Sequence, residues 1–574
     1  MLFNYCLCSI LLIYLFFISF VLFMLGIYFI TNDLVYFIEY ELFMMSGSQF
    51  IMTFLFDWMS LIFVSFVFFI SSLVIYYSKD YMKGDVFFDR FIILVLMFVF
   101  SMMFLILSPN LISILLGWDG LGLISYCLVI YYQNVKSFNA GMITALSNRV
   151  GDTMLLISIA WMFNYGSWNY FMYIDFFNIE FDVILISLMI VIAGMTSSAQ
   201  IPFSPWLPAA MAAPTPVSSL VHSSTLVTAG VYLLIRLHPL YLSVSVSKIL
   251  LIVSLITMFM SGFCANFEFD LSKIIALSTL SQLGLMMSIL SFGYFDLAYF
   301  HMLTHALFKA SLFMCSGVII HNFVGCQDIR YLGNLLFQMP LTMVCVIIAT
   351  LCLCGIPFLS GFYSKDLILE MYSMSYINVI CYLFFYFSIG LTVSYSFRLI
   401  FYLIISDFCF YSFHSVNDEN LIMLSSVFFM IMFSLFGGSM LSWFLFPSPM
   451  FIFMPLILKL MVVFMFILGA SVGFLLSLFN SINYLLGLFY YSLYSYFGSM
   501  WFMPYISIKS IYFPLFLGLK FNISCDYGWI EFYGGQGVSL IFVILSLFNQ
   551  KVQNSVFNLF FIIIFFWFIF MIFI

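Results

Sequence analysis

Residues 11–30, LLIYLFFISFVLFMLGIYFI, contain no charged side chain, and this run indicates the class of fold. An α-helix needs about 20 consecutive apolar residues to cross the hydrocarbon core of a bilayer. Similar runs recur along the chain as far as residues 557–574, and they leave room for roughly fifteen such helices. The sequence therefore predicts one polytopic α-helical membrane domain.

The composition agrees with a chain that lies in lipid. Of the 574 residues, 65% are hydrophobic and 7% are charged, so a soluble domain of this composition would expose large apolar surfaces. A β-barrel is disfavoured because the apolar runs are continuous, whereas barrel strands alternate apolar and polar residues. The net charge is -7, and the basic residues of the sequence form no cluster. Nucleic acid is therefore not an expected partner.

Two proline-containing segments interrupt the apolar runs. They are QIPF at residues 200–203, followed by four more prolines up to residue 216, and GIPF at residues 355–358. Proline lacks an amide donor and clashes with the preceding turn, so each segment predicts a broken helix. At membrane depth such a break is tolerated where it is buried in protein or lines a cavity, and the pair indicates an internal repeat around a transport path. The alternative is two interfacial loops that join ordinary helices.

Ionisable residues within the apolar runs are few, and each is a candidate for function because charge at bilayer depth is costly. Asp119 lies in LGWDGLG, residues 116–122, with apolar residues on both sides. A carboxylate there must meet a cation or stay protonated, unless it marks a helix end at the interface. His222 follows the first break. Arg149 and Asp152, at i and i+3, are expected to lock a helix as a structural ion pair.

His301, His305 and Lys309 are spaced i, i+4, i+8, which places the three side chains along one face of a helix. Three titratable groups on one face can pass a proton. A zinc site is the rival, since histidines at i and i+4 can bind zinc. Met302 stands where the HExxH motif has glutamate, and the Lys309 ammonium would repel the ion, so we predict a proton relay and no metal.

Lys365 and Asp366 follow the second break. Burial favours the neutral amine of a lysine, and a neighbouring carboxylate favours its ammonium form. Movement of either partner would therefore load or release a proton. This is the mechanism that the residues suggest.

Five segments carry a resemblance to a known family: LGWDGLG around Asp119, the stretch from SAQ to PVS at 198–218, LVTAGVY at 226–232, the relay at 301–309, and FYSKD at 362–366. Together they resemble the subunit 5 family of mitochondrial NADH:ubiquinone oxidoreductase (respiratory complex I), in its arthropod forms. The likeness covers nearly the whole chain. That family is related to the subunits of multisubunit Na+/H+ antiporters.

The resemblance implies an all-α polytopic membrane fold. It comprises about 16 transmembrane helices, two inverted five-helix repeats that each contain a broken helix, a lateral amphipathic helix and a final anchor helix. The implied organisation is as follows: N-terminal transmembrane helices at 1–107; a first antiporter-like repeat at 108–292, broken near 200–216; a second at 293–405, broken near 355–361; C-terminal transmembrane helices at 406–524; the lateral helix at 525–554; and the final transmembrane anchor at 555–574.

The resemblance also implies a function. The chain would be a core membrane-arm subunit that translocates protons across the mitochondrial inner membrane, coupled to NADH oxidation and ubiquinone reduction elsewhere in the complex. No cofactor is expected on this chain, because NAD, FMN, iron-sulfur clusters and ubiquinone would bind other subunits. The expected partners are lipids and other membrane-arm subunits, above all antiporter-like neighbours along the lateral helix. A stand-alone cation/proton antiporter subunit and a purely structural membrane-arm subunit are the alternatives.

The family's relay is carried over by position. It would consist of Asp119, His222, Lys273, His301, His305, Lys309 and Lys365. Ser197 and Ser272 stand where family members have lysine, and a serine cannot carry a proton as an ammonium. Taken literally, Asp119 has lost its cation. Some arthropod mitochondria read the AGG codon as lysine instead of serine, so we hypothesise that both serines are mis-translated lysines.

Overall fold

The computed structural model describes residues 2–45, 47–170, 181–242, 245–375, 378–410, 416–449, 451–482, 490–554 and 557–574. The chain divides into two compact units, Met1–Pro504 and Tyr505–Ile574. All of the candidate relay residues lie in the first unit. Most of the described residues are helical.

The long helices follow the apolar runs of the sequence. In chain order they are α1 (Leu2–Asn32), α2 (Trp58–Tyr81), α3 (Phe88–Leu107), α4 (Leu111–Val129), α5 (Val135–Met162), α6 (Phe181–Ser197), α7 (Thr215–Arg236), α8 (Val246–Phe267), α9 (Leu271–Ser291), α10 (Phe295–Asn322), α11 (Pro340–Cys354), α12 (Ser360–Met374), α13 (Val379–Ile405), α14 (Leu421–Leu445), α15 (Leu456–Ile482), α16 (Met503–Gln553) and α17 (Phe557–Phe573). Short helices at Phe163–Tyr165, Trp206–Ala209, Ala210–Ala212, His238–Leu242, Leu335–Gln338 and Tyr491–Gly498 lie between them.

Many of these helices are long enough to cross a membrane. Within the described ranges, 12 helices have the length and apolar character of a span, and three shorter apolar helices are α6, α11 and α17. The chain is therefore a multi-pass membrane protein. The expected number of about 16 spans and the two inverted repeats remain predictions.

A β-hairpin corrects the all-α expectation. Strands β1 (Tyr36–Met45) and β2 (Ser48–Phe56) pair antiparallel in a two-stranded sheet, within the region where only transmembrane helices were expected. Aromatic residues and the alternating Glu39 and Glu41 favour a strand there, and Gly47, at φ +89°, takes a backbone conformation that glycine adopts easily. In so apolar a chain, this short alternation is hidden among the helical runs.

Both proline-containing segments interrupt helices, as the missing amide donors predict. Helix α6 ends at Ser197 and α7 begins only at Thr215. Helix α11 ends at Cys354 and α12 begins at Ser360. Gly355 at the second break has φ +84°, a left-handed conformation that carries no steric penalty for glycine.

The C-terminal unit contains most of α16 and all of α17. Helix α16 begins at Met503, passes through a π-helical segment at Asn522–Ile530 and is interrupted by one turn residue, Gly534. The lateral helix expected at 525–554 remains a prediction. The expected start of the anchor at 555 lies outside the described residues.

The core of the first unit is built on α7, α9 and α10. The most apolar stretches of these three helices are completely buried, whereas those of α1 and α15 are 17% and 22% buried. Helices enclosed by protein can carry polar side chains, because those side chains meet protein groups instead of lipid. The enclosed helices are therefore where a polar site can be built.

Candidate functional site

Helix α10 carries the predicted stripe of titratable residues. His301, His305 and Lys309 are all completely buried, and the ring centroids of the two histidines are 6.2 Å apart. Because α10 is one of the enclosed helices, these side chains meet protein groups, not lipid. The structure thus brings the three predicted residues together on one buried helix.

His301 joins α10 to the helix after the second break. Its Nδ1 lies 2.9 Å from Ser364 Oγ on α12, and its Nε2 lies 3.3 Å from Gln282 Oε1 on α9. Ser364 Oγ is also 3.0 Å from Thr304 Oγ1. The imidazole therefore links three helices through hydrogen bonds.

Lys365 lies where α11 ends. Its Nζ donates to Thr392 Oγ1 at 3.0 Å and to the carbonyl oxygens of Cys354 at 3.4 Å and Leu353 at 3.5 Å. The last carbonyls of a helix have no partner within the helix and carry partial negative charge. The break in the second proline-containing segment thus creates acceptors for the ammonium group.

Lys309 has a single polar partner among the described hydrogen bonds, the hydroxyl of Ser278 on α9, to which its Nζ donates. In the part of the chain that the structure describes, no carboxylate lies within 4 Å of the Nζ of Lys309 or Lys365. Both lysines are buried. Among the described residues, each amino group is therefore bound by neutral oxygen atoms alone.

His222 lies on a π-helical stretch of α7, Ser218–Thr225. Its buried imidazole has a ring centroid 6.1 Å from that of Trp206, and neither ring nitrogen has a hydrogen-bond partner within the described ranges. A π-helical insertion is uncommon and occurs often at functional sites. Buried polar groups of this kind usually bind ordered water.

A polar cavity lies where the ends of several helices meet. It has a volume of about 240 Å³. Its lining includes Tyr81, Thr215, Ser218, Ser272, Ile320 and Gln327. Ser218 precedes His222 by four residues, about one helical turn. The cavity therefore reaches the turn of α7 that leads to the buried imidazole.

Asp119, on α4, does have a cation. Its Oδ1 lies 3.7 Å from Nη1 of Arg149, and the same nitrogen lies 2.9 Å from Oδ2 of Asp152. The predicted Arg149–Asp152 pair is thus present in the structure. With serine at position 197, Asp119 was expected to have lost its cation, and this expectation is wrong. Helices α4 and α5 pack together, and this packing brings Arg149 to Asp119.

Ser197 and Ser272, the two serines expected to stand at lysine positions of the family, lie beside cavities. Ser197 is buried, donates to the Gly194 carbonyl at 3.2 Å and lines a cavity of about 20 Å³ with Trp118 and Gly122, which flank Asp119 in sequence. Ser272 lines the larger polar cavity, and its Oγ is 3.4 Å from Gln327 Oε1.

Lys273 is placed apart from the other predicted relay residues. Its Nζ lies 2.7 Å from Oδ2 of Asp270, and the two side chains are 38% and 36% exposed at the start of α9. Its ammonium thus has a carboxylate partner near the surface, unlike the buried lysines.

Comparisons with known proteins add to this geometry. Three family models match the chain: the transmembrane region of NADH:quinone oxidoreductase/Mrp antiporter at residues 108–392, the C-terminus of NADH dehydrogenase subunit 5 at 395–574, and the N-terminus of NADH-ubiquinone oxidoreductase (complex I) chain 5 at 43–92. NADH-ubiquinone oxidoreductase chain 5 of Anopheles gambiae is 56% identical over 567 residues, which are 99% of this chain and 97% of the relative. The chain belongs to the NADH-ubiquinone oxidoreductase chain 5 family.

Other comparisons agree with this family. Chain 5 of Locusta migratoria is 55% identical over 561 residues, which are 98% of each protein. As a chain 5 protein, the molecule is a membrane-arm subunit of complex I with antiporter-like relatives.

A solved structure shows the antiporter-like fold. A chain of the Mrp complex from Dietzia sp. superimposes with a TM-score of 0.74 at 21% identity. The match covers 96% of this chain and 62% of that one, so this chain 5 protein spans about three fifths of the Mrp chain's length.

The hydroxyl and amide residues of the site were missed by sequence reasoning. They are Ser278, Ser281, Gln282, Ser364, Thr392 and Tyr395. The sequence feature that could have identified these residues is the presence of a polar side chain inside an apolar helix. That signal is weak, because helical serine and threonine commonly bond to a carbonyl of their own helix.

Proposed function

We propose that this chain translocates protons across the mitochondrial inner membrane, coupled to NADH oxidation and ubiquinone reduction in other subunits of complex I. One observation carries the proposal: two buried lysines, Lys309 and Lys365, are bound by hydroxyl and carbonyl oxygens, without a carboxylate within 4 Å in the described residues. A carboxylate partner would hold the proton on each amine. Without one, a small change in surroundings decides whether the amine is charged.

The proposed path starts at the polar cavity and reaches His222 through the turn that contains Ser218. It continues through His305 and Lys309 to Lys365. We infer that water completes the path at His222 and His305, because neither imidazole has a hydrogen-bond partner among the residues described.

Protons on the proposed path leave at the end of α10 that lies away from the polar cavity. The end of α10 lines the polar cavity through Ile320, whereas a second cavity is lined by Leu297 at the start of α10 and by Leu367 and Met371 on α12. Helix α12 thus runs from the second break toward the end that lies away from the polar cavity. Asp366 and Glu370 on α12 would take the proton from Lys365 to that end.

The remaining assignments follow from the chain 5 family. We propose that NAD, FMN, iron-sulfur clusters and ubiquinone bind other subunits and that this chain holds no cofactor. Helix α16 exposes apolar side chains such as Ile541, Ile544 and Phe548, which suit contact with lipid and with antiporter-like neighbours. We propose that α16 is the lateral helix and that neighbouring membrane-arm subunits are its partners.

The substitution Lys365→Met tests the proposed function in the intact complex reconstituted into vesicles. We expect at least a several-fold loss of protons pumped per NADH oxidised, with the complex still assembled. The matched control is Lys248→Met, which removes an exposed lysine near the start of α8 and should leave pumping unchanged. Unchanged pumping in Lys365→Met would show that the chain is structural only.

We also propose that residues 197 and 272 are lysines in the mature protein. Ser272 faces the 240 Å³ cavity, which has space for a longer side chain, and Ser197 faces α4 residues on either side of Asp119. The cavity at Ser197 has room for about one water, so a lysine there requires neighbouring side chains to repack. Mass spectrometry of the peptides spanning both positions tests this, and unmodified serine masses would refute it.

A further inference from the structure

A tyrosine hydroxyl lies between the partners of the buried relay residues. The Tyr395 hydroxyl, buried on α13, is 3.3 Å from Ser281 Oγ, and Ser278 and Gln282 lie beside it on α9. Residues 278, 281 and 282 are spaced i, i+3, i+4, so they share one face of α9. That face meets the tyrosine.

The same face of α9 binds both ends of the α10 stripe. Ser278 accepts a hydrogen bond from Lys309, and Gln282 contacts His301 Nε2. Lys309 and His301 are eight residues apart, about 12 Å along the helix axis, and His305 lies between them on α10. Tyr395 lies beside the α9 partner side chains of both, Ser278 and Gln282.

Lys365 reaches the helix that carries this tyrosine. Its Nζ donates to Thr392 Oγ1, and Thr392 precedes Tyr395 by three residues, so the two lie on the same face of α13. A helical side chain leans toward the N-terminal turn, which here is the turn of Thr392. Next in the chain, Ser396 Oγ is 2.8 Å from Cys354 Sγ at the end of α11.

We propose that Tyr395 is a proton-relay residue that joins Lys309 to Lys365. This role rests on the proton translocation proposed above. A phenol hydroxyl both donates and accepts a hydrogen bond, as such a junction requires. The residue lies on α13, outside the predicted set of titratable groups.

In this relay one proton passes from Lys309 to Lys365. The Lys309 ammonium gives one proton to Ser278 and becomes a neutral amine. Each hydroxyl along the path, including that of Tyr395, takes one proton on its oxygen and releases its own, so each is neutral before and after. Thr392 delivers one proton to the neutral amine of Lys365, which becomes an ammonium.

The substitution Tyr395→Phe tests the junction, since it keeps the ring and removes the hydroxyl. In the intact complex reconstituted into vesicles, we expect a several-fold fall in protons pumped per NADH oxidised. Tyr241→Phe is the matched control, because its buried hydroxyl donates to the Leu234 carbonyl at 3.2 Å, away from the relay. That control should pump normally.

A structural role and a relay role give different readouts. Loss of packing would lower the amount of assembled complex and leave the ratio of protons to NADH unchanged, whereas loss of a relay group lowers the ratio in complex that has assembled. If Tyr395→Phe does not assemble, Ser278→Ala removes the hydroxyl between Lys309 and the tyrosine. Normal pumping by that variant would overturn the junction.

The outcomes for Tyr395 and for the proposed function are distinguishable. If Lys365→Met loses pumping while assembled Tyr395→Phe keeps it, the junction is wrong and proton translocation stands. If both variants pump normally, the proposed function itself is wrong. Loss of pumping in both variants, with normal pumping in Tyr241→Phe, supports the junction.

Discussion

Buried basic side chains have different kinds of partner in the proposed relay and at the C-terminal end of α7. At the end of α7, Arg236 donates from Nη1 and Nη2 to the two carboxylate oxygens of Asp57, at 2.5 and 2.6 Å, and from Nε to the Tyr232 hydroxyl at 2.8 Å. Lys309 and Lys365 have only neutral oxygen partners among the described residues.

The difference distinguishes a charge that stabilises the fold from one that is proposed to carry protons. Asp57 also caps α2, accepting from the Ser60 amide at 2.9 Å, so its pair with Arg236 ties α7 to α2. Burial raises the pKa of Asp57, but the guanidinium and the hydrogen bonds outweigh it and hold that pKa below its ordinary value. A cation matched in this way keeps its charge, whereas the proposed function requires Lys309 and Lys365 to change theirs.

The largest effect is expected for Lys309→Met. Removal of a titratable group from the relay should lower proton pumping roughly tenfold or more. Stability should not fall, because replacing a buried charged group by an apolar one of similar size is often neutral or stabilising. Pumping by reconstituted complex and the temperature at which the complex inactivates are the two measurements. A marked drop in that temperature, with pumping kept, would show that Lys309 supports the fold instead.

Asp57→Asn is expected to give the opposite result. It leaves the Arg236 charge buried without its carboxylate, which destabilises by about 3–5 kcal/mol. The measurement is again the inactivation temperature, which should fall, together with the amount of assembled complex. Asp89→Asn, at an exposed position in the first turn of α3, is the matched control and should change stability by under about 1 kcal/mol. Equal effects of the two variants would remove the distinction between the two regions.

The pH dependence of the Asp57 contribution follows from the lowered pKa. A carboxyl with a lowered folded-state pKa stabilises fully above its unfolded value, about 3.9 for aspartate, and the stabilisation is lost as the pH falls through the lower folded value. The stability difference between wild type and Asp57→Asn should therefore stay constant from about pH 5 to 8. A difference that shrinks within that window would contradict the lowered pKa.

The charged residues of the proposed relay could be located from the sequence because they interrupt an apolar pattern. His301, His305 and Lys309 fall on one helical face by spacing alone, and proline marks both broken helices. The buried lysines have partners that cannot be predicted in this way, since Ser278 and Thr392 belong to other helices. Their contacts depend on packing between elements that are far apart in sequence.

Packing also explains the other differences. The cation beside Asp119 is Arg149, which comes from the neighbouring helix and was expected only as a partner of Asp152. The β-hairpin at residues 36–56 was missed because a high apolar content conceals a strand's alternation. In a membrane chain, local periodicity thus identifies helices better than it identifies which polar groups meet.

Asp119→Asn should have the smallest effect of the three substitutions. Asp119 is 40% exposed and shares Arg149 with Asp152, and exposed ion pairs contribute about 0–1 kcal/mol, so the inactivation temperature should hardly change. Pumping should fall by less than in Lys309→Met, because no hydrogen bond joins Asp119 to the α10 relay within the described ranges. A loss as large as that of Lys309→Met would mean that Asp119 is coupled to the buried lysines, and a lysine at position 197 would then be the group that links them.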